Sequence, residues 1–171
     1  FKDSITSIEF CDIAKKSILT VQPDADVHCV PMADGGEGTI DVFRSQSSYQ
    51  YKTITVVGPV GEKIKAEYCI DIKTNTAILE MAQSSGLHLV SKKRRDPMLT
   101  TSYGFGELIL DAMNRGINNI ILFIGGSATN DMGLGMLEAI GFIYYNNKNN
   151  KISGTVSNLN CLLYTSDAAD D

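Results

Sequence analysis

The sequence lacks several residue types and patterns that would place a protein outside the ordinary globular class. Its 171 residues contain no tryptophan, two histidines and four cysteines, and no two cysteines form a C-x-x-C pair. This scarcity argues against a zinc site and favours buried, free thiols in a reducing cytoplasm. No apolar run approaches the roughly 20 residues that cross a bilayer, and the longest, residues 120–126, has the length of a buried strand.

The chain also lacks an excess of positive charge, since its formal net charge is −5. That balance argues against nucleic acid or an anionic membrane surface as the main partner. Residues 1–4 do not resemble the start of a signal peptide, so we expect a cytoplasmic protein. A hydrophobic content of 43% is enough for a packed core, and the length suits one domain, or one domain plus part of another.

Periodicity in the first third of the chain predicts alternating helices and strands. Apolar residues between Ile8 and Ile18 have helical spacing, and Thr6 with Glu9 forms a capping box at the start of that helix. Residues 25–30 predict a short strand that ends before Pro31. A glycine-rich loop follows, and a second helix begins near Thr39. Such strand–loop–helix units are typical of α/β proteins.

The remainder predicts strands first and then a second strand–loop–helix unit. Residues 49–82 indicate strands with turns at 58–61 and 74–76, and Ile64, Ala66, Tyr68 and Ile70 alternate on one buried face. A helix is predicted from residues 100–102 to Arg115, with Gly116 as its stop. Residues 118–124 predict a strand covered on both faces, and a short helix then ends at Gly141.

Two polar glycine loops, residues 34–39 and 125–131, each follow a predicted strand and precede a helix. Open α/β sheets bind ligands at such places, because glycine lets the backbone approach closely and helix-start N–H groups favour anions. Asp34 and Glu37 would repel a bare phosphate. Either a Mg²⁺ ion bridges carboxylate and phosphate, or a carboxylate accepts a proton from a substrate hydroxyl.

The established phosphate-binding motifs, G-x-x-x-x-G-K-[ST] and G-x-G-x-x-G after a strand, are absent from the sequence. From the residues alone, the loops fit either a phosphate or sugar-acid binder, or tight turns whose glycines need positive φ. Two such loops at one sheet edge could hold the two halves of a phosphoryl-transfer reaction, which depends mainly on positioning and charge stabilisation.

Four motifs resemble, in the same order, the glycerate kinases of bacterial sugar-acid pathways: "FKDSITS", "VPMADGGEGT", "RDPMLTTSYGFGELI" and "IGGSATNDMGLGMLEAIGF". The resemblance covers residues 1–154. It implies ATP- and Mg²⁺-dependent phosphorylation of D-glycerate to 2- or 3-phosphoglycerate. The alternative function is a non-catalytic α/β domain that binds a small molecule or phosphate. Neither reading indicates an oligomeric state.

The resemblance also implies an α/β fold with a partial Rossmann-like three-layer domain and a β-rich inserted second α/β domain. Residues 1–50 would begin the first domain and residues 51–160 would form the inserted one. The family is longer than this chain, so we expect a truncated fragment without kinase activity. Residues 161–171 do not resemble the family, and we interpret them as a non-native tail.

The resemblance assigns roles to residues that match the family motifs. Asp34 is predicted to be the general base on the glycerate hydroxyl or a Mg²⁺-linked carboxylate, and Lys2 and Arg95 to hold carboxylate or phosphate. Asp131 is the predicted metal ligand. His28 and His88 are predicted to have packing or surface roles. The predicted substrate- and nucleotide-binding residues are Ser4, Gly35, Gly36, Glu37, Gly38, Thr39, Thr101, Ser102, Gly125, Gly126, Ser127, Thr129 and Asn130.

Overall fold

The computed structural model describes residues 4–44 and 48–167 and has an α/β architecture. A four-stranded sheet and a three-stranded sheet occur in this part of the chain, together with short 3-10 segments. In chain order the elements are α1 (Ser7–Val21), α2 (Thr39–Arg44), β1 (Tyr49–Val57), β2 (Lys63–Asp71), β3 (Thr76–Glu80), α3 (Ala82–Ser85), α4 (Tyr103–Asn114), β4 (Asn119–Phe123), α5 (Leu134–Ala139), β5 (Phe142–Asn146), β6 (Lys151–Ile152) and β7 (Leu162–Asp167).

The predicted capping box starts α1. The Thr6 hydroxyl accepts a hydrogen bond from the Glu9 N–H at 3.1 Å, and the Glu9 carboxylate accepts one from the Thr6 N–H at 2.7 Å. These two bonds satisfy N–H groups that a helix start leaves without intrahelical partners. No residue of α1 is buried, so the helix lies on the surface of the described chain.

The four-stranded sheet has the order β1-β2-β3-β4. The antiparallel pair β1–β2 runs from Tyr49 opposite Asp71 to Val57 opposite Lys63, and β3 pairs antiparallel with β2. By contrast, β4 runs parallel to β3, with Glu80 opposite Phe123. The carboxyl ends of β3 and β4 are therefore level, and the loops that follow them leave the sheet at one edge.

The core lies between this sheet and α4. Ala66, Tyr68 and Ile70 are buried on one face of β2, as the alternation predicts, and they share a cluster with Phe105 and Leu108 of α4. The Tyr68 hydroxyl donates to the Asp111 carboxylate at 2.7 Å, which ties sheet and helix together at the edge of that cluster.

Helix α2 belongs to the same core through Ile40, which is fully buried. The helix thus packs on the sheet across the domain boundary predicted at residue 50. At the other end of the chain, β7 pairs with β5 over Leu162–Asp167. The division into domains and the non-native origin of residues 161–171 stay predictions.

Three expectations are wrong for this structure. Residues 25–30 form no strand among the described residues; the segment lies along α1 instead, where the Cys29 thiol donates to the Cys11 carbonyl. Strand β4, one of the two edge strands of the sheet, is not covered on both faces, since Ile121 and Leu122 are exposed. All four cysteines are free, as expected, but Cys29 and Cys161 are exposed rather than buried.

Within residues 4–44 and 48–167, no helix combines the length and apolar character that spanning a membrane requires.

Candidate functional site

The two glycine loops touch each other. The Gly125 N–H donates to the Gly35 carbonyl at 2.9 Å. A Cβ atom on Gly125 would lie 2.7 Å from the Gly36 Cα and 2.8 Å from the Gly35 oxygen, closer than real Cβ contacts come. Glycine at position 125 is therefore required by the approach of one backbone to the other. Residues 34–39 and 125–131, far apart in sequence, form one continuous surface.

Within the first loop, one carboxylate oxygen of Asp34 accepts a hydrogen bond from the loop backbone, and the other accepts none among the described residues. Its Oδ1 accepts a hydrogen bond from the Gly36 N–H at 3.0 Å, which forms an Asx turn. Gly35 and Gly38 have φ values of 88° and 86°, a backbone region that side chains other than glycine rarely adopt. Among the described residues Oδ2 accepts no hydrogen bond, and the side chain is exposed. Asp34 could therefore accept a proton from a ligand without losing its turn.

Glu80 is a site residue that the sequence reasoning missed. Its buried carboxylate, at the end of β3, accepts from the Gly38 N–H at 3.2 Å and the Ile40 N–H at 2.9 Å. Burial raises the pKa of Glu80, although these two N–H donors oppose the shift. The Glu80 side chain thus holds the end of the first loop and the start of α2 against the sheet. An acid at the end of an otherwise apolar strand was the available signal.

The second loop is organised by Asp131, which is buried. Its Oδ2 accepts from the Ser102 N–H at 2.8 Å, the Ser102 hydroxyl at 2.7 Å and the Gly135 N–H at 3.2 Å. Its Oδ1 accepts from the Gly133 N–H at 3.1 Å. The structure therefore brings the predicted residues Ser102 and Asp131 together, and their bonds join the starts of α4 and α5.

A metal-ligand role for Asp131 gains no support from this geometry, because both carboxylate oxygens already accept hydrogen bonds. Across residues 4–44 and 48–167, no group of three or more His, Cys, Asp or Glu side chains is placed to hold a metal ion. The residues of the second loop do not by themselves fit a magnesium site.

The predicted hydroxyl ligands form hydrogen bonds within the protein. The Thr129 hydroxyl donates to the Thr100 carbonyl at 3.0 Å, and the Ser127 hydroxyl donates to the Thr129 carbonyl at 3.1 Å. The Thr101 hydroxyl accepts from the Tyr103 N–H at 3.1 Å. In the first loop, Thr39 donates to the Gly36 carbonyl at 2.6 Å. These contacts show the backbone-capping role that hydroxyl groups commonly have.

A cavity of about 220 Å³ opens beside the second loop. The Arg95 guanidinium is anchored at its wall, where Nε donates to the Val90 carbonyl at 3.2 Å. An anchored guanidinium with donors to spare can bind a carboxylate or phosphate in two-point geometry. Three predicted site residues line the cavity, namely Arg95, Ser127 and Asn130. The other lining residues are Leu87, Val90, Asp96, Pro97, Thr100 and Ala128.

His88 connects the first loop to this cavity. Its Nδ1 lies 3.7 Å from the Glu37 carboxylate, and its neighbour Leu87 is part of the cavity wall. The sequence predicts a packing or surface role for His88. Its place beside Glu37 depends on the fold, because the two residues are far apart in sequence.

Two predicted residues are not brought into this site. Lys2 lies outside the described residues. Ser4 is exposed just before α1 and, in the part of the chain that is described, forms no hydrogen bond with either glycine loop. The remaining predicted residues lie in the two contacting loops, at the cavity wall or at the start of α4.

Comparisons with known proteins agree with one family. Residues 1–168 match the sequence model of the Glycerate kinase family. The chain is 45% identical over 141 residues to a protein named glycerate kinase from Halalkalibacterium halodurans, covering 82% of this chain and 37% of that protein. It is 43% identical over 162 residues to the glycerate 2-kinase of Escherichia coli, covering 95% of this chain and 42% of that protein.

A solved structure shows the same likeness. A crystal structure from Salmonella typhimurium LT2, there assigned provisionally as glycerate kinase 2, superposes with a TM-score of 0.80 at 37% identity. The superposition covers 97% of this chain and 45% of that one. This chain thus spans less than half the length of the relatives it matches. Because the family model matches nearly the whole sequence, the chain belongs to the glycerate kinase family.

Proposed function

We propose that this chain supplies part of the active site of an ATP-dependent kinase that phosphorylates D-glycerate to 2- or 3-phosphoglycerate. The observation that supports this most directly is the hydrogen bond between Gly125 and Gly35, which joins the two loops beside the Arg95 cavity. Phosphoryl transfer needs two bound reactants aligned in a charge-stabilising site. Two contacting glycine loops next to an anion-binding arginine meet that need.

Each reactant has a proposed place. The Arg95 guanidinium binds the glycerate carboxylate. Its Nε and Nη2 donate to the Val90 and Leu87 carbonyls, and its remaining N–H donors are left for a ligand at the cavity wall. The free Oδ2 of Asp34 accepts the proton of the hydroxyl that attacks the γ-phosphorus of ATP. The new O–P bond forms as the bond to ADP breaks. The glycine backbone of both loops allows phosphate oxygens to approach closely.

Mg²⁺ is part of the proposal only because the family resemblance implies that it accompanies ATP. Among the described residues, no group of three or more His, Cys, Asp or Glu side chains is placed to hold a metal ion, and the Asp131 carboxylate accepts N–H and O–H donors. We therefore derive no step through the metal, and we propose that Asp131 positions the second loop.

We further propose that the chain forms part of a Rossmann-like domain together with a β-rich inserted domain. The mixed sheet and its parallel β3–β4 pair support an α/β unit of this kind. A cytoplasmic location follows from the use of ATP and from the four free cysteines. The proposed partners are D-glycerate and ATP, with no nucleic acid or membrane among them.

A segment exchange tests the function. The part of the Escherichia coli glycerate 2-kinase that matches this chain would be replaced by this chain, and ADP release would be measured in a coupled assay. We expect release that depends on D-glycerate, and none from the 171-residue chain alone. In the chimera, Asp34→Asn should lower kcat about 100-fold or more, the scale typical of a general base.

The matched control is Asp26→Asn, an exposed carboxylate near Asp34 whose partner is His28. It should leave turnover unchanged. Turnover of Asp34→Asn at the level of the unsubstituted chimera would remove Asp34 from the mechanism. A folded chimera that binds ATP but shows no turnover dependent on D-glycerate would favour the non-catalytic binding domain instead.

A further inference from the structure

Two cysteines that play no part in the proposed reaction lie against each other at the surface. Cys11 is in the middle of α1, and Cys29 is in the extended segment that leads to Asp34. The Cys29 thiol donates to the Cys11 carbonyl at 3.4 Å, which places its sulfur on the turn of the helix that carries Cys11. Cys29 is exposed and Cys11 is half-buried, so solutes can reach this pair.

A second contact fixes the register of this pairing. The Met32 N–H donates to the Ser7 hydroxyl at 2.8 Å. Ser7 and Cys11 lie one helical turn apart on the same face of α1, and Met32 follows Cys29 closely in the extended segment. Two contacts in antiparallel order hold the segment along the helix, so the approach of the two sulfurs does not depend on one bond.

We propose that Cys11 and Cys29 are a peroxide-responsive modification site that closes to an intrachain disulfide. The thiolate of Cys29 attacks hydrogen peroxide, the O–O bond breaks, and Cys29 becomes a sulfenic acid with release of water. The sulfur of Cys11 then attacks the Cys29 sulfur; the S–S bond forms, the S–O bond breaks, and a second water leaves. One peroxide is reduced for each pair of thiols oxidised.

The surroundings set the order of these steps. Desolvation by burial and the neighbouring Cys29 sulfur raise the pKa of the Cys11 thiol. A thiol with a raised pKa is a poor first target for peroxide, because the thiolate is the reactive form. The exposed Cys29 therefore reacts first and Cys11 resolves it. The bond would tether α1 to the segment just before Asp34, and reversible disulfides of this kind are the usual cytosolic exception.

Peptide mapping of the 171-residue chain tests the site. The folded chain would be treated with one equivalent of hydrogen peroxide, alkylated and digested with trypsin. The lysines and arginines of the sequence put all four cysteines on different tryptic peptides, so each pairing is readable by mass spectrometry. We expect the Cys11–Cys29 peptide pair as the main linked product, two thiols lost per chain, and recovery of both with dithiothreitol.

Variants and a denatured sample provide the controls. Cys11→Ser should abolish the intrachain link and leave a Cys29 sulfenic acid that dimedone traps. Cys161→Ser, at the other exposed cysteine, should leave the yield of the link unchanged. In guanidinium chloride the preference for Cys11–Cys29 should disappear. A link formed equally well by the denatured chain would overturn the proposal. So would the absence of the linked peptide from the oxidised, folded wild-type chain.

Discussion

The carboxylate of Asp131 accepts four hydrogen bonds, from the N–H and hydroxyl of Ser102 and from the N–H groups of Gly133 and Gly135. The Ser102 hydroxyl in turn accepts from the Met136 N–H at 2.9 Å. Hydrogen bonds to an ionised acceptor are stronger than neutral ones, and a buried network is costly when one member is lost. The Asp131 side chain therefore stabilises the contact between α4, α5 and the second glycine loop.

Replacing Asp131 by Asn should destabilise the chain without any metal present. The new amide N–H₂ would face N–H donors, and at least one buried donor would lose its acceptor. We expect the free energy of unfolding to fall by about 2–4 kcal/mol. Urea unfolding in the presence of EDTA measures this, followed by circular dichroism because the chain has no tryptophan.

Asp24→Asn, at an exposed position, is the control and should change the free energy of unfolding by less than about 0.5 kcal/mol. If Asp131→Asn altered stability only when Mg²⁺ was added, the metal-ligand role predicted from the sequence would be correct and the positioning role wrong.

At the scale of elements, α2 is a helix of six residues, too short to be stable alone. Ile40 packs in the core, and Arg44 forms an ion pair with Glu67 of β2. The Glu80 carboxylate also accepts hydrogen bonds from the N–H groups of Gly38 and Ile40. A carboxylate at a helix start also complements the helix dipole. The conformation of the first loop therefore depends on a strand that follows it by about forty residues.

The pH dependence of stability should carry the signature of Glu80. Burial raises its pKa above the ordinary value of 4.5, so the folded chain binds the proton more tightly than the unfolded chain. The resulting stabilisation is fully present below about pH 4.5 and is lost as pH rises through the raised pKa of the folded state. Urea unfolding of wild type and Glu80→Gln from pH 4 to pH 8 isolates this contribution.

We expect the free energy of unfolding of wild type, relative to that of Glu80→Gln, to fall as pH rises through that window. The comparison with the variant is needed because Asp111 contributes stability that rises with pH, opposite to the contribution of Glu80. Burial alone would raise the pKa of Asp111, but hydrogen bonds from Arg115 and Tyr68 outweigh burial and lower it. Asp24→Asn, at an exposed position before the first glycine loop, is the control and should not remove the Glu80 signature. An advantage that stayed constant with pH would contradict the raised pKa.

The elements that the sequence predicts correctly are those whose signals are local. The capping box of α1, the stop of α4 at Gly116 and the alternation in β2 each depend on neighbours within a few residues. The strand predicted at residues 25–30 fails because a strand needs a partner, and that partner is not encoded in the segment itself. The contacts of Glu80 with the first loop and of His88 with Glu37 could not be predicted for the same reason, since both form across the fold.

At the scale of the whole molecule, the described chain has two regions of different burial. Strands β1–β3 and α4 share a continuous core, whereas α1 has no buried residue. Several large apolar side chains of α1 and of the segment beside it are exposed, namely Phe10, Ile13, Ile18, Val21, Val30 and Met32. Apolar burial is the main source of stability, so the two regions should not be equally stable.

Native-state hydrogen exchange should resolve this difference. We expect the amides of α1 to open with a free energy of about 1 kcal/mol, as in a marginal isolated helix, and those of β2 and α4 to open only on global unfolding. Oxidation of Cys11 and Cys29 provides an internal check, because a disulfide should raise protection in α1 and leave the sheet unchanged. Equal protection of α1 and β2 in the reduced chain would show that α1 is held by the core after all, against the exposure of its apolar face.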